Sequence, residues 1–252
     1  MMRVMSFNVL CSGRGERQWF MRIPLVVRAI RKYAPDSFGV QEAHWGWMRA
    51  LAASLPDYAW VGVGRDNGKK KGEFSAVFYR RDLFKCKDSG TFWLSETPET
   101  PGLGWDANCI RVCTYALLEN KETGRQLAHF NTHLDHIGPI AQQKGAELVA
   151  KRSRTLFSGV PAVFTGDFNV TPDSAPCRAV KDGGFVDARD VAAETDTGAT
   201  FHDFEREGFE GLVIDYVFVR GDVKVEKFAV VRDKIDGRLP SDHYPVYADI
   251  AL

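Results

Sequence analysis

The run Pro161-Ala-Val-Phe-Thr-Gly-Asp-Phe-Asn169 holds an apolar strand, a glycine, and then a carboxylate and a carboxamide two residues apart. Alternation along a strand turns Asp167 and Asn169 the same way, and Gly166 lets the backbone approach a ligand closely. Asp167 can orient or deprotonate a water, while Asn169 can donate a hydrogen bond to a charged oxygen. Taken alone, the run serves equally well as an Asx-rich turn capping the next helix. The wider sequence decides between the two, because the same arrangement recurs in both directions. Asp215 opens the apolar run 214–219, Ser241-Asp242-His243 precedes the last strand-like segment, and Thr132-His133-Leu134-Asp135-His136 closes another. Asn8 ends the first such segment, and Glu42 ends the second in Gly39-Val-Gln-Glu42. Polar groups confined to strand ends predict one shared cleft at one edge of the sheets, since burying them without function is costly.

The segments carrying these groups define the fold class. Residues 3–10 are apolar on both parities except near Ser6 and Asn8, the pattern of a central strand covered on both faces. A helix over 19–33 follows, with Ile23, Val26, Val27, Ile30 and Ala34 at helical spacing, and Pro35-Asp36 stops it. A strand over 37–41 leads to a helix over 45–55 with Trp47, Met48, Leu51 and Leu55 on one stripe. Runs at 58–63, 74–79, 84–92, 110–118 and 126–134 read as consecutive antiparallel strands. After a helix over 139–157, strands resume at 161–165, 214–219, 223–231 and 244–250. Strands dominate and helices come early in each half. This predicts an α/β fold of two packed, mainly antiparallel sheets flanked by helices, not a doubly wound parallel sheet. No repeat or low-complexity linker divides the sequence, so residues 1–252 are expected to form one domain. Loops 64–72, with Lys69-Lys70-Lys71, and 94–108, with Trp105, are long enough to carry function.

Composition narrows the function classes. The 252 residues carry 33 Lys and Arg against 33 Asp and Glu, which argues against a protein that grips nucleic acid by bulk electrostatics. No apolar run approaches membrane-spanning length and no signal-peptide pattern opens the sequence, so a cytoplasmic monomer without a membrane anchor is expected. The five cysteines include no Cys-x-x-Cys pair and read as free thiols, with Cys109 and Cys113 on one face of a strand. Asn8, Glu42 and the other carboxylates offer oxygen and no thiolate, a donor set suited to Mg²⁺ or Mn²⁺ rather than Zn²⁺.

The ordered set Asn8, Glu42, Thr132-His133, Gly166-Asp-Phe-Asn169, Asp215 and Ser241-Asp-His243 resembles the endonuclease/exonuclease/phosphatase superfamily over almost the whole chain. That resemblance implies a four-layered α/β/β/α sandwich and a divalent-metal-dependent phosphoesterase. Carried over residue by residue, it makes Glu42 the principal metal ligand with Asn8 and Asp242 nearby. Asp167 would align the attacking water and Asn169 would stabilise the pentacovalent state. His243, oriented by Asp215, would hydrogen-bond the scissile phosphate, with His133 on the opposite side. Arg111, Trp105 and Asp135 are candidate substrate contacts. Leu10 stands where several nucleases of the family carry a further acidic ligand, which argues against a second metal supported from that strand.

Among the branches, Phe164-Thr-Gly-Asp and Pro240-Ser-Asp-His depart from the inositol-polyphosphate 5-phosphatase signatures. Gly166-Asp-Phe-Asn-Val-Thr-Pro172 and Asn131-Thr-His-Leu134 are similar to the branch of the carbon catabolite repressor-type deadenylases and related bacterial proteins. Gly90-Thr-Phe-Trp-Leu-Ser-Glu-Thr-Pro98, with Gly104-Trp-Asp106, resembles that bacterial group. The leading expectation is a nuclease or 3′-exonuclease acting on short or single-stranded nucleic acid, with Phe92, Trp93 and Trp105 stacking bases and Lys69 to Lys71 tracking the backbone. The alternative is a phosphodiesterase or phosphatase acting on a phospholipid headgroup or a small phosphorylated metabolite. Retention of every catalytic residue type argues against a non-catalytic scaffold.

Overall fold

In the computed structural model, which describes residues 1–252, the chain begins with strand β1 (Met2–Asn8), helix α1 (Trp19–Tyr33), β2 (Ser37–His44), α2 (Trp45–Ser54), β3 (Tyr58–Val61) and β4 (Glu73–Arg80). It continues through β5 (Phe84–Trp93), β6 (Val112–Asn120), β7 (Gln126–His133), α3 (Pro139–Leu156), β8 (Ala162–Asp167) and α4 (Ala175–Asp182). Three short elements, β9 (Val186–Asp187), α5 (Ala188–Val191) and β10 (Glu194–Thr195), precede β11 (Asp215–Arg220), β12 (Lys224–Val230) and β13 (Val246–Ala251). The strands form a seven-stranded sheet ordered β10-β12-β13-β1-β2-β4-β3 and a six-stranded sheet ordered β5-β6-β7-β8-β11-β9. Both are mixed, with parallel pairs β1/β2, β10/β12 and β7/β8 among antiparallel neighbours.

Burial alternates along the strands as a layered sandwich requires. On β8, Phe164 packs outward with Phe130, Phe218 and Val149 of α3, while Val163 packs between the sheets with Val77, Val217 and Val246. The other outer layer joins Phe7 and Phe38 to Val26 and Ile30 of α1 and to Trp47 and Leu51 of α2. The order is therefore helices, sheet, sheet, helices. The inter-sheet layer is apolar at one end and polar at the other.

Two sequence expectations need correction. The middle strands do not form one continuous meander: β3 and β4 lie in the first sheet, and β5, β6 and β7 start the second. β4 is flanked on both sides by β2 and β3, so it has no free edge for β5, and the chain must cross to the other layer. The strand expected from residue 110 begins at Val112, which leaves Cys109 in the preceding loop and not on a face with Cys113. Its N–H and that of Asn108 donate to Asp135 Oδ2 and draw the chain out of the sheet. Helix α4, which buries Pro176, Cys177, Ala179 and Val180 on one face, and the short elements up to β10 lie outside the elements expected from the sequence.

Candidate active site

Topology explains why so many polar groups meet. The parallel pairing of β7 with β8 brings His133 beside Asp167, and the antiparallel pairing of β8 with β11 sets Asp215 on the other side of Asp167. In the facing sheet, the parallel pairing of β1 with β2 stops at Asn8 opposite Gln41, which sets Asn8 beside Glu42. β13 runs antiparallel to β1, so the segment that enters it, with Asp242 and His243, arrives at the same edge. A cleft of about 390 Å³ opens there, lined by Glu42, Asp242, Asp167, Asn169, His133 and His243, with Arg65, Glu73, Arg111, His136 and Phe201 around them.

The local backbone is distorted in a way that serves these side chains. Leu10, Glu42 and Asn169 adopt left-handed φ values of 54°, 61° and 54°, which non-glycine residues rarely take. The β2–β4 register shifts between Val40 and Ala43, and a bulge of this kind re-aims the Glu42 carboxylate. Strain of this sort gathers at functional sites.

Asn8 bridges the two sheets. Its Nδ2 donates to Glu42 Oε1 at 3.0 Å and to Asp167 Oδ2 at 2.9 Å, while its Oδ1 accepts from Leu10 N–H. Glu42 Oε2 also accepts from Cys11 N–H at 2.9 Å. Burial works against ionisation of Glu42, but the Cys11 and Asn8 hydrogen bonds outweigh it and lower the pKa. Asp242 is pushed up by burial and by the nearby charge of Glu42. Two neighbouring carboxylates, one of which raises the other's cost of ionisation, with oxygen donors and no thiolate, fit a hard divalent cation. Glu42, His133 and Asp167 also present ligand atoms within 4.8 Å of one another.

The second half of the cleft is a chain of paired groups. His243 Nδ1 lies 2.9 Å from Asp215 Oδ2, and its Nε2 lies 3.7 Å from Asp167 Oδ2. Burial disfavours a charge on His243, yet Asp215 and Asp167 more than offset it and raise the pKa to about 10. Burial and the Asp215 charge raise Asp167, against His243 and Asn8. Asn169 N–H donates to Asp167 Oδ1, and its Nδ2 lies 2.9 Å from His133 Nε2 and donates to Leu134 O. His133 is held neutral by burial and by the cations Arg111 and Arg65. Its Nδ1 is buried without a hydrogen-bond partner, as are Asp215 Oδ1 and Arg111 Nη1, while Arg111 Nε makes no hydrogen bond but lies 3.6 Å from Asp135 Oδ2.

The candidate substrate contacts separate. Arg111 lines the cleft, with Nη2 3.1 Å from His136 Nδ1. Asp135 lies beneath it, 1% exposed, accepting from Ile137 and Gly138 N–H on one oxygen and from Asn108 and Cys109 N–H on the other. Burial raises its pKa, but these four bonds bring it down to about 2. Its carboxylate holds the loop that carries Arg111 and does not face the cleft. Trp105 is half-buried in that loop and is not among the cleft-lining residues. Phe92 and Trp93, expected to stack bases, are 1% and 6% exposed and serve packing instead, because β5 turns both into the structure. Trp93 Nε1 donates to Arg65 O, which fixes the base of loop 64–72.

Sequence reasoning missed Arg65, Glu73 and Phe201, and named His136 at a strand end without giving it a role. Arg65 pairs with Glu73 through bonds of 2.7 and 3.1 Å, and the Phe201 ring packs on His243 with centroids 4.8 Å apart. No motif marks Arg65, Glu73 or Phe201, since they come from loops and the start of β4, joined to the cleft only by the fold.

A model of the Endonuclease/Exonuclease/phosphatase family matches residues 5–243. An endonuclease/exonuclease/phosphatase from Bacteroides vulgatus shares the fold with a TM-score of 0.94 at 36% identity, covering 100% of this chain and 98% of that one. A mannosyl-6-phosphatase from Bacteroides thetaiotaomicron is 34% identical with a TM-score of 0.94, covering 100% of both chains. The human Nocturnin catalytic domain, 20% identical with a TM-score of 0.77 over 99% of this chain and 94% of its own, shares the fold.

Proposed function

From the premise that this chain belongs to the endonuclease/exonuclease/phosphatase family and is a metal-dependent phosphoester hydrolase, we propose that it cleaves the phosphate ester of a small hydroxylated metabolite such as a sugar phosphate. The observation that carries this reading is the size and lining of the cleft. About 390 Å³ suits a small ligand, and its polar wall of Arg65, Arg111 and His136 faces an apolar wall of Phe201, Leu212 and Ile214. The likeness to a mannosyl-6-phosphatase at 34% identity points the same way.

Glu42 and Asp242, with Asn8 fixing Glu42, would hold Mg²⁺ or Mn²⁺. When bound, such an ion neutralises charge on the phosphate oxygens. Asp167 aligns the attacking water and receives its proton as the new oxygen–phosphorus bond forms and the ester bond breaks. Its raised pKa suits a general base. His243, charged and oriented by Asp215, donates to a phosphate oxygen. Asn169 and His133 approach the phosphate from the other side, and the unpartnered Nη1 of Arg111 binds a further oxygen of the substrate.

Action on a short single-stranded nucleic acid is the second reading, favoured by the Phe201 ring at the cleft wall, on which a base could stack. The two separate in one assay: kcat/KM with Mg²⁺ or Mn²⁺ for hexose 6-phosphates, simple phosphodiesters and oligoadenylate. At least a tenfold preference for a sugar phosphate is expected, with full loss in chelator. A tenfold preference for oligoadenylate would establish the second reading instead.

A further inference from the structure

Arg22 sits on α1 among Leu25, Val26 and Ala29, is 1% exposed, and has no carboxylate partner. An unpaired buried cation is costly, so its surroundings must supply what water would. They do so with main-chain carbonyls alone. Nε donates to Arg17 O at 2.7 Å, Nη1 to Val9 O and to Pro240 O at 3.0 Å, and Nη2 to Leu10 O at 2.6 Å and Ser12 O at 3.1 Å. All five N–H groups of the guanidinium are used. The face of the fork lies 5.3 Å from the Trp47 ring.

The places these carbonyls come from matter more than their number. Residues 9–12 follow Asn8; within them, Leu10 N–H donates to Asn8 Oδ1 and Cys11 N–H donates to Glu42 Oε2. Leu10 is held there in the left-handed region, with φ 54°. Pro240 lies two residues before Asp242. One side chain thus grips the loop whose amides orient Asn8 and Glu42 together with the segment that delivers Asp242. We propose that Arg22 is a positioning residue for the metal-binding half of the cleft, fixing Glu42 and Asp242 relative to one another so that they present a preformed site to a divalent cation. This rests on reading those residues as the metal side. Burial lowers the Arg22 pKa to about 10, with Asp242 and Glu42 opposing the shift, so the group stays charged at neutral pH and lets the two carboxylates coexist before a metal arrives. A lysine has one nitrogen and three donors and cannot span the same carbonyls.

The test is Mn²⁺ affinity by titration calorimetry for the wild type, Arg22→Met and Arg22→Lys. Arg189→Met serves as the comparison, because Arg189 is a buried arginine on α5 that does not line the cleft. Thermal unfolding in chelator is read beside each. Loss of a group that orients metal ligands should raise the Mn²⁺ Kd about 10- to 100-fold in Arg22→Met. Arg22→Lys should recover only part of that, and Arg189→Met should stay within about twofold of wild type whatever its melting temperature. A folded Arg22→Met with wild-type Kd overturns the proposal. So does an equal loss of affinity in Arg189→Met, which would mark a general effect of instability. Should Arg22→Met fail to fold, a wild-type Kd in Arg22→Lys overturns it, and a raised Kd supports it. A wild type that binds no Mn²⁺ removes the metal reading itself, a result distinct from any difference among the variants, and this proposal with it.

Discussion

Two groups of buried polar side chains share strands β1, β2, β7 and β8, one in the middle of the sandwich and one at its edge, two residues further along β1, β7 and β8 and one residue further along the bulged β2. Ser6, Gln41, Asn131 and Thr165 belong to the first, and Asn8, Glu42, His133 and Asp167 to the second. The inner group satisfies all of its side-chain polar atoms but one, Gln41 Oε1. Asn131 Nδ2 donates to Val40 O and Ala76 O, and its Oδ1 accepts from Gln41 Nε2 at 2.7 Å and Thr165 Oγ1 at 3.0 Å. His129 lies between Ser37 Oγ at 2.7 Å and Thr165 Oγ1 at 2.9 Å. The fit is tight enough to require a glycine: a Cβ on Gly39 would stand 2.2 Å from Asn131 Oδ1. The edge group is charged, rests on left-handed residues, and keeps buried atoms of Arg111, His133 and Asp215 without partners. A neutral network with a single open acceptor specifies how the sheets meet, whereas a charged network with several open valences is held ready for a ligand.

The largest expected effect breaks the edge group. Asp167→Asn or His243→Ala should lower kcat/KM by three orders of magnitude or more, because both act mainly in the transition state. Urea unfolding should show Asp167→Asn unchanged in stability or gaining up to about 1 kcal/mol, as relief of active-site strain and like-charge repulsion often does. The reverse pattern belongs to the inner group. Asn131→Leu takes a donor from two carbonyls and an acceptor from both the Gln41 amide and the Thr165 hydroxyl, and should cost about 3 kcal/mol or more. Activity per folded molecule should stay within about tenfold. A loss of a thousandfold in Asn131→Leu at unchanged stability would erase the contrast and place that residue in the machinery of the cleft.

The same contrast explains what could be read from the sequence. Asn8, Glu42, His133, Asp167, Asp215 and His243 were legible because strands of known direction end where their apolar runs end, and polar residues at such ends have few other uses. Their layered setting followed from strand alternation. Arg22 was in plain view as a cation on the apolar stripe of α1, but its partners are carbonyls, which no side-chain pattern reveals. Trp93 and Phe92 misled because an aromatic beside a long loop reads alike whether it faces solvent or core, and only the inter-sheet crossing after β4 fixes which. Asp135 misled for a related reason: its neighbours in sequence are polar, yet four backbone N–H groups consume its carboxylate.

The smallest expected effect sharpens the comparison through pH. Thr165 Oγ1 gives its one proton to Asn131 Oδ1, so it accepts from His129 Nε2–H, and His129 Nδ1 accepts from Ser37 Oγ. Both ring nitrogens are therefore committed in the neutral form, and burial lowers the His129 pKa from 6.5 to about 3. The unfolded chain takes up a proton at this residue near its ordinary pKa and the folded chain does not. Stability is thus fully present above about pH 6.5 and declines as the pH falls toward about 3, by up to about 1.4 kcal/mol per pH unit from this group. His129→Leu should be less stable than wild type at pH 7, since Ser37 and Thr165 lose their partner, yet should lose less on acidification. Urea unfolding of both proteins at several pH values from 7 to 4 measures the difference in slope. Parallel curves would mean that His129 accepts a proton in place, and that the inner group is no more closed than the edge.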